Sequence, residues 1–231
     1  MIDTGAVYER TKRAFVVTVT GADVDHVVPA TPAWTVRDVL AHVIGLAADL
    51  NAQRFPDPED EGGVAWSAQQ VASRQGLPLA ELTAEWDRES PRFAEGLRLF
   101  GYDFGAHFAA DLHAHHQDVR QALSGPRDDD PLTVAVALDH YLGFLGEQLA
   151  TTDWGSVTAT TECGTRQVGT DEPHHVCIET TAFELLRAVS GRRSLDQIRA
   201  LPWEGDVDAL LAVLPSVYVG GYSLPTVGLD E

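Results

Sequence analysis

The stretch "DLHAHHQDVRQAL", from Asp111 to Leu123, sets three histidines between two aspartates and then reaches an arginine. Imidazole nitrogens and carboxylate oxygens are donors for a divalent cation, yet they are equally at home on a solvated helix face. Spacing helps to separate the two readings. Residues four apart on an α-helix lie on one face, and a step of seven returns to nearly the same line. Asp111, His115 and Asp118 therefore share a stripe, which His107 extends by one turn toward the N-terminus. His113 and His116 point elsewhere, as solvent-facing or packing residues. One oxygen and one nitrogen from a single helix do not close a cation site, so a neighbouring helix must supply a third donor.

His42 is the natural donor. It stands in "TVRDVLAHVIGLAADL", one turn after Asp38 and beside Val39 and Val43, on a helix that is otherwise largely apolar. A histidine there is either buried and hydrogen-bonded or bound to something. Together with Asp111 and His115 it offers two nitrogens and one oxygen, a set that suits zinc, with iron, nickel and manganese as alternatives. Three protein ligands leave a coordination position open, which a reactive site requires. Asp118 either orients a ligand imidazole from behind or pairs with a surface arginine. His107 is the fallback ligand.

The elements that must position these groups are helical in the first part of the chain. Val7, Thr11, Ala14, Phe15, Val17 and Val19 form a mostly helical stripe over residues 6–22. Thr35, with Asp38 three residues on, reads as an N-cap, followed by Val36, Val39, Leu40, Val43 and Leu46 at helical spacing. "PDPEDEGG" at 56–63 is a loop. The third helical region is expected to break at Gly76–Pro78 and again near Pro91. A fourth helix spans roughly 103–123 and a fifth runs from Pro131 to about Ala150. Short connections between these helices predict an up-and-down four-helix bundle.

After Trp154 the texture changes. "SVTATTECG" and "HHVCIETT" flank the turn-rich "GTRQVGTDEP", which predicts a hairpin. "AFELLRAVSG" is helical, "SLDQIRALPWEGDVDALLAVL" offers two short helical turns, and the tail "GGYSLPTVGLDE" is expected to be irregular. The expected organisation is an α fold with a small α+β appendage, divided into a metal-binding helical bundle at 1–153 and a small α+β domain at 154–231.

Composition narrows the partners. The chain has 231 residues, enough for a proper core, and 35 acids against 16 bases give a net charge of −19. Such a surface repels phosphate backbones and anionic lipid, so neither nucleic acid nor membrane is expected as a partner. The N-terminus mixes charges into its apolar residues and lacks the succession of a secretory signal, so a cytoplasmic location is expected. Cys163 and Cys177 form no CxxC pair and are expected to be buried apolar residues, with any reactive thiol coming from elsewhere. Trp34 and Trp203 are expected in the core or at a domain interface, and His174–His175 at a strand end.

With these residues in hand, the chain resembles the maleylpyruvate isomerase family of mycothiol-dependent enzymes, among the DinB-like (YfiT-type) metal-binding bundles. "VPATPAWTVRDVLAHVIG" matches the family's segment ending in its first metal-ligating histidine. "WSAQQVASRQG" and "LAELTAEW" resemble its middle region. "DLHAHHQDVRQAL" matches the pattern whose acid and histidine complete the triad, and "FELLRAVSGRRSLDQIRALPWEGD" resembles the family's C-terminal domain. The resemblance places ligand roles on His42, Asp111 and His115, with aspartate where the family more usually has glutamate.

The resemblance also implies a divalent metal, zinc foremost, and mycothiol, the thiol that actinobacteria use in place of glutathione, as cosubstrate. The reaction would be S-transfer to a small electrophile or a maleylpyruvate-isomerase-like cis–trans isomerisation. Arg192 and Arg193 are candidates to grip a substrate carboxylate, or else surface charges closing a helix. The alternatives are a hydrolase or lyase using metal-bound water, and a non-catalytic metal- or ligand-binding protein. A monomer or homodimer is expected.

Overall fold

In a computed structural model of the chain, residues 2–170, 174–217 and 229 are described. By compactness the chain divides into residues 1–133 and 134–230. The boundary anticipated at 153 lies at the end of helix α6 (Pro131–Leu149), most of which groups with the second unit.

The first unit is a helical bundle. Helices α1 (Thr4–Val19), α2 (Val36–Asn51), α4 (Leu79–Leu99) and α5 (Tyr102–Ala122) pack around one core, and the short α3 (Val64–Ala72) lies against α2. Phe15, Val36, Leu40, Ile44, Leu82, Trp86, Leu97 and Val119 are fully buried in that core. Local sequence sets the ends. Asp3 caps α1 by accepting from the Ala6 amide, and Thr35 and Asp38 form a reciprocal capping box at the start of α2. Small residues set the close approaches: a Cβ on Gly105 of α5 would lie 2.0 Å from Thr4 Oγ1 of α1.

Helix α4 corrects the expected break near Pro91, which lies inside a continuous helix. A proline in a helix interior costs about 3 kcal/mol or more through its missing N–H and its clash with the preceding turn. Trp86, Phe93 and Leu97 are all buried around it, each contributing roughly 1.5–3 kcal/mol. Lys12 adds bonds to Asp87 Oδ1 and Ser90 Oγ, both at 2.6 Å, on the turn before the proline. Tertiary packing outweighs the local rule. The break at Gly76–Pro78 does occur.

The second unit contains α6, a four-stranded sheet and three short helices, α7 (Ala182–Val189), α8 (Leu195–Arg199) and α9 (Val207–Val217). The strands are β1 (Gly155–Thr161), β2 (Gly164–Gly169), β3 (His174–Glu179) and β4 (Trp203–Gly205), in the order β2-β1-β3-β4. The expected hairpin is thereby revised. Most of the glycine-rich segment at 164–173 is strand β2, antiparallel to β1 across a turn at Glu162–Cys163, and β1 pairs with β3 in parallel. Glu-Cys carries none of the usual hairpin chemistry, so the turn was invisible, whereas the glycines of β2 imitate one. Helices α8 and α9 are the two short helical turns expected in that stretch, and strand β4, which was not expected, lies between them. The irregular tail expected at 220–231 lies outside the described residues, apart from residue 229.

Alternation divides the sheet into two faces. Val157, Ala159, Val168, Val176 and Ile178 are buried on one, while Thr158, His175, Cys177 and Glu179 take the alternate positions. Among the described residues no helix is long and apolar enough to cross a membrane.

Candidate metal centre

The loop before α2 folds back on itself. Val28 N–H donates to Trp34 C=O, Trp34 N–H donates to Thr31 C=O, and Val27 bridges to Thr35. This return, closed by the capping box, fixes Trp34 immediately before the helix and His42 two turns into it. Helix α5 runs alongside and presents Asp111 and His115 from one face. One ligand atom each from His42, Asp111 and His115 all lie within 4.8 Å of one another. The rings of His42 and His115 stand 5.0 Å apart at 75°, and His115 Nε2 is 3.6 Å from Asp111 Oδ1.

Both histidines are buried, and Asp111 is partly exposed. Burial pushes the His42 imidazolium down to about 4, with the neighbouring His115 adding to the effect and Asp111 opposing it. His42 is thus a neutral imidazole at physiological pH, the form that donates to a cation. Gln70 of α3 fixes which nitrogen is available. Its Oε1 lies 2.8 Å from His42 Nδ1 and its Nε2 donates to Asp49 Oδ2 at 3.1 Å. A carboxamide oxygen can only accept, so Nδ1 carries the proton and Nε2 keeps its lone pair.

That contact depends on Gly45, where a Cβ would lie 2.6 Å from the Cβ of Gln70. Only glycine lets α3 approach α2 so closely. On the other helix, His115 Nδ1 is buried without a hydrogen-bond partner and lies 4.0 Å from Oδ2 of the fully buried Asp118. Two imidazoles, a carboxylate and a locked tautomer fit a divalent cation. The donor set suits zinc.

Two further side chains complete the surroundings. The half-buried Trp34 ring lies 5.1 Å from that of His42 and 6.3 Å from that of His115, against both imidazoles. Tyr8, buried in the core, accepts a hydrogen bond from Trp86 Nε1 at 2.9 Å. Burial raises its phenol pKa, against the smaller opposing effect of the Trp86 hydrogen bond, and the charge of Asp111 adds to the rise.

The remaining residues singled out from sequence fall elsewhere. His107 is exposed and contributes no atom to the cluster. His113 and His116 are buried packing residues; His116 stacks on Phe15 at 5.0 Å, meets Thr18 Oγ1 at 3.0 Å and places Nδ1 3.0 Å from Asp128 Oδ2. Arg192 and Arg193 are buried in the second unit. There Arg192 donates to the Ser190 carbonyl at 2.7 Å and Arg193 pairs with Glu184 at 3.2 Å. Cys163 is exposed and Cys177 half-buried, so the expectation that both are buried apolar residues is corrected.

Residues 9–103 match the family model described as the mycothiol maleylpyruvate isomerase N-terminal domain. The chain is similar to the mycothiol maleylpyruvate isomerase family. The matched segment contains His42, Gly45 and Gln70 and stops before Asp111 and His115, whose convergence with His42 rests on the geometry above. Two crystal structures share the fold. One is a mycothiol-dependent maleylpyruvate isomerase, 14% identical, with a TM-score of 0.51 over 82% of this chain and 88% of that one. The other is a histidine-to-alanine mutant of a mycothiol-dependent maleylpyruvate isomerase, 13% identical, with a TM-score of 0.50 over 81% and 88%. At such identity the likeness is one of fold. No curated protein matches the chain.

Sequence reasoning missed Gln70 and Gly45. Gln70 is one of two adjacent glutamines in a polar stretch, and nothing local distinguishes the one facing His42. Trp34 packs against the bundle core as expected, and its place directly before the N-cap of α2 also sets it against His42 and His115.

Proposed function

We propose that the chain is a mycothiol-dependent enzyme whose divalent cation, zinc by its donor set, is held by His42, Asp111 and His115. The observation supporting this reading is the convergence of three ligand atoms within 4.8 Å, with the tautomer of His42 fixed from behind by Gln70. A divalent cation held by three protein ligands supplies, at its open position, the positive charge that keeps a thiol as thiolate at neutral pH. The chain's own groups do the rest. Gln70 keeps His42 Nε2 turned toward the cluster. Asp118 lies behind His115, where its carboxylate can steady that ring. Trp34 packs against both imidazoles and excludes water from their flank.

A thiol kept as thiolate beside these residues would have the nucleophilicity to add to an electrophilic carbon of a small substrate. Retaining the thiol gives S-transfer; expelling it after rotation about the attacked bond gives cis–trans isomerisation. Because one fold serves many electrophiles, we place S-transfer first and isomerisation second.

The test compares zinc-loaded and metal-free protein by thermal shift with mycothiol, glutathione and no thiol, and then assays thiol-dependent consumption of maleylpyruvate and of an aryl electrophile. Stabilisation by mycothiol in zinc-loaded protein only, with turnover of either substrate, is the expected result. Indifference to both thiols together with metal-dependent ester hydrolysis would replace this reading by one based on metal-bound water.

A further inference from the structure

The second unit carries a separate set of reactive side chains. On β3, His175 and Cys177 are two residues apart and share one face of the sheet, with Cys177 Sγ 3.2 Å from His175 Nε2. The other ring nitrogen, Nδ1, lies 2.9 Å from the hydroxyl oxygen of Ser156, the residue paired with His175 on β1. Ser156 is buried, His175 exposed and Cys177 half-buried. Gln167 Nε2 of β2 donates to the same hydroxyl oxygen at 3.4 Å. A thiol, an imidazole and an orienting hydroxyl are thus aligned across two adjacent strands, β3 and β1, with the thiol end reachable from solvent. A nucleophile in contact with a base, itself oriented by a third group, is the arrangement that activates a weak nucleophile.

We propose that Cys177 is a thiol–disulfide exchange site, with His175 as its proton acceptor and Ser156 as the positioning residue, taking uncharged low-molecular-weight disulfides. The Sγ–H proton passes to His175 Nε2 as Sγ forms a bond to one sulfur of the disulfide. The original S–S bond breaks, and its electron pair leaves on the departing sulfur. That sulfur takes the proton from Nε2 and is released as a thiol. One disulfide is consumed; Cys177 ends oxidised as a mixed disulfide, and one free thiol is produced.

Charge selects the co-reactant. Glu204 of β4 stands opposite Cys177 in register, and Glu179 is two residues along β3 on the same face; both are exposed. With the net charge of −19 they repel anionic disulfides and tolerate neutral ones. This site is independent of the metal centre, and its failure would leave the proposed function untouched.

The test uses the full chain and bis(2-hydroxyethyl) disulfide, with glutathione disulfide as the anionic comparison. Addition to Cys177 and to Cys163 is followed by peptide mass spectrometry between pH 6 and 9. Cys163, exposed in the β1–β2 turn, is the internal control. Cys177 is expected to react faster than Cys163 at pH 7 despite its lower exposure, and faster with the neutral disulfide. His175→Ala should slow Cys177 at least about tenfold and leave Cys163 unchanged. Ser156→Ala should move the pH profile of Cys177 alone. Equal rates at the two cysteines, or a Cys177 rate indifferent to His175→Ala, would overturn the proposal. Preference for glutathione disulfide would overturn the assigned co-reactant.

Discussion

Gln70 accepts a hydrogen bond from Nδ1 of His42 at 2.8 Å while its amide nitrogen donates to Asp49 at 3.1 Å. A side chain from the short helix α3 thus sets the tautomer of a histidine on α2, and the acid beyond it sets the orientation of that side chain. Gln70→Leu keeps the bulk and removes both bonds. It should weaken zinc binding about 10–100-fold, measured by chelator competition, because outer partners of ligand histidines typically contribute that much. Affinity equal to the native protein would mean that His42 does not depend on this bond.

Gly45→Ala tests the same link through packing. An alanine in place of glycine in a helix interior should stabilise by roughly 1 kcal/mol from propensity alone. Here the new methyl would meet Gln70 Cβ at 2.6 Å and Cγ at 2.8 Å, so α3 must move away. The variant should lose zinc affinity in the same direction as Gln70→Leu. A gain in thermal stability with unchanged affinity would contradict the close approach of α2 and α3.

A pH dependence follows from Asp128. The hydrogen bond with His116 chiefly holds its carboxyl down to about 2, from an ordinary value of 3.8, against the opposing effect of burial. The folded chain therefore binds this proton less readily than the unfolded chain. The resulting stability is complete above about pH 4 and is lost as pH falls through about 2. Urea midpoints of native protein and Asp128→Asn should differ most above pH 4 and converge below it. A difference that grows as the pH falls would reverse the sign.

The helices were legible because their signals are local. The Thr35–Asp38 cap and the stripe of Asp111 and His115 need only the period of a helix. Asp111 is a further case, since whether a side chain one methylene shorter than glutamate reaches the cluster depends on how closely α5 approaches α2. Pro91 was misread because the rule for proline is local while the packing of Trp86, Phe93 and Leu97 that overrides it is not. The parallel pairing of β1 with β3 was hidden for the same reason: it joins segments separated by another strand. Gln70 and Gly45 could not be found from sequence, because their importance lies wholly in how closely two helices approach.

His42, Asp111 and His115 are proposed to share one cation. The most direct test is the metal content of protein purified without chelators, compared with that of His42→Ala and His115→Ala. Native protein should carry one divalent ion per chain, and either variant, left with two protein ligands, should carry almost none. His113→Ala, off the stripe, should keep its metal wherever it remains folded. Full occupancy in folded His42→Ala or His115→Ala would contradict the shared site.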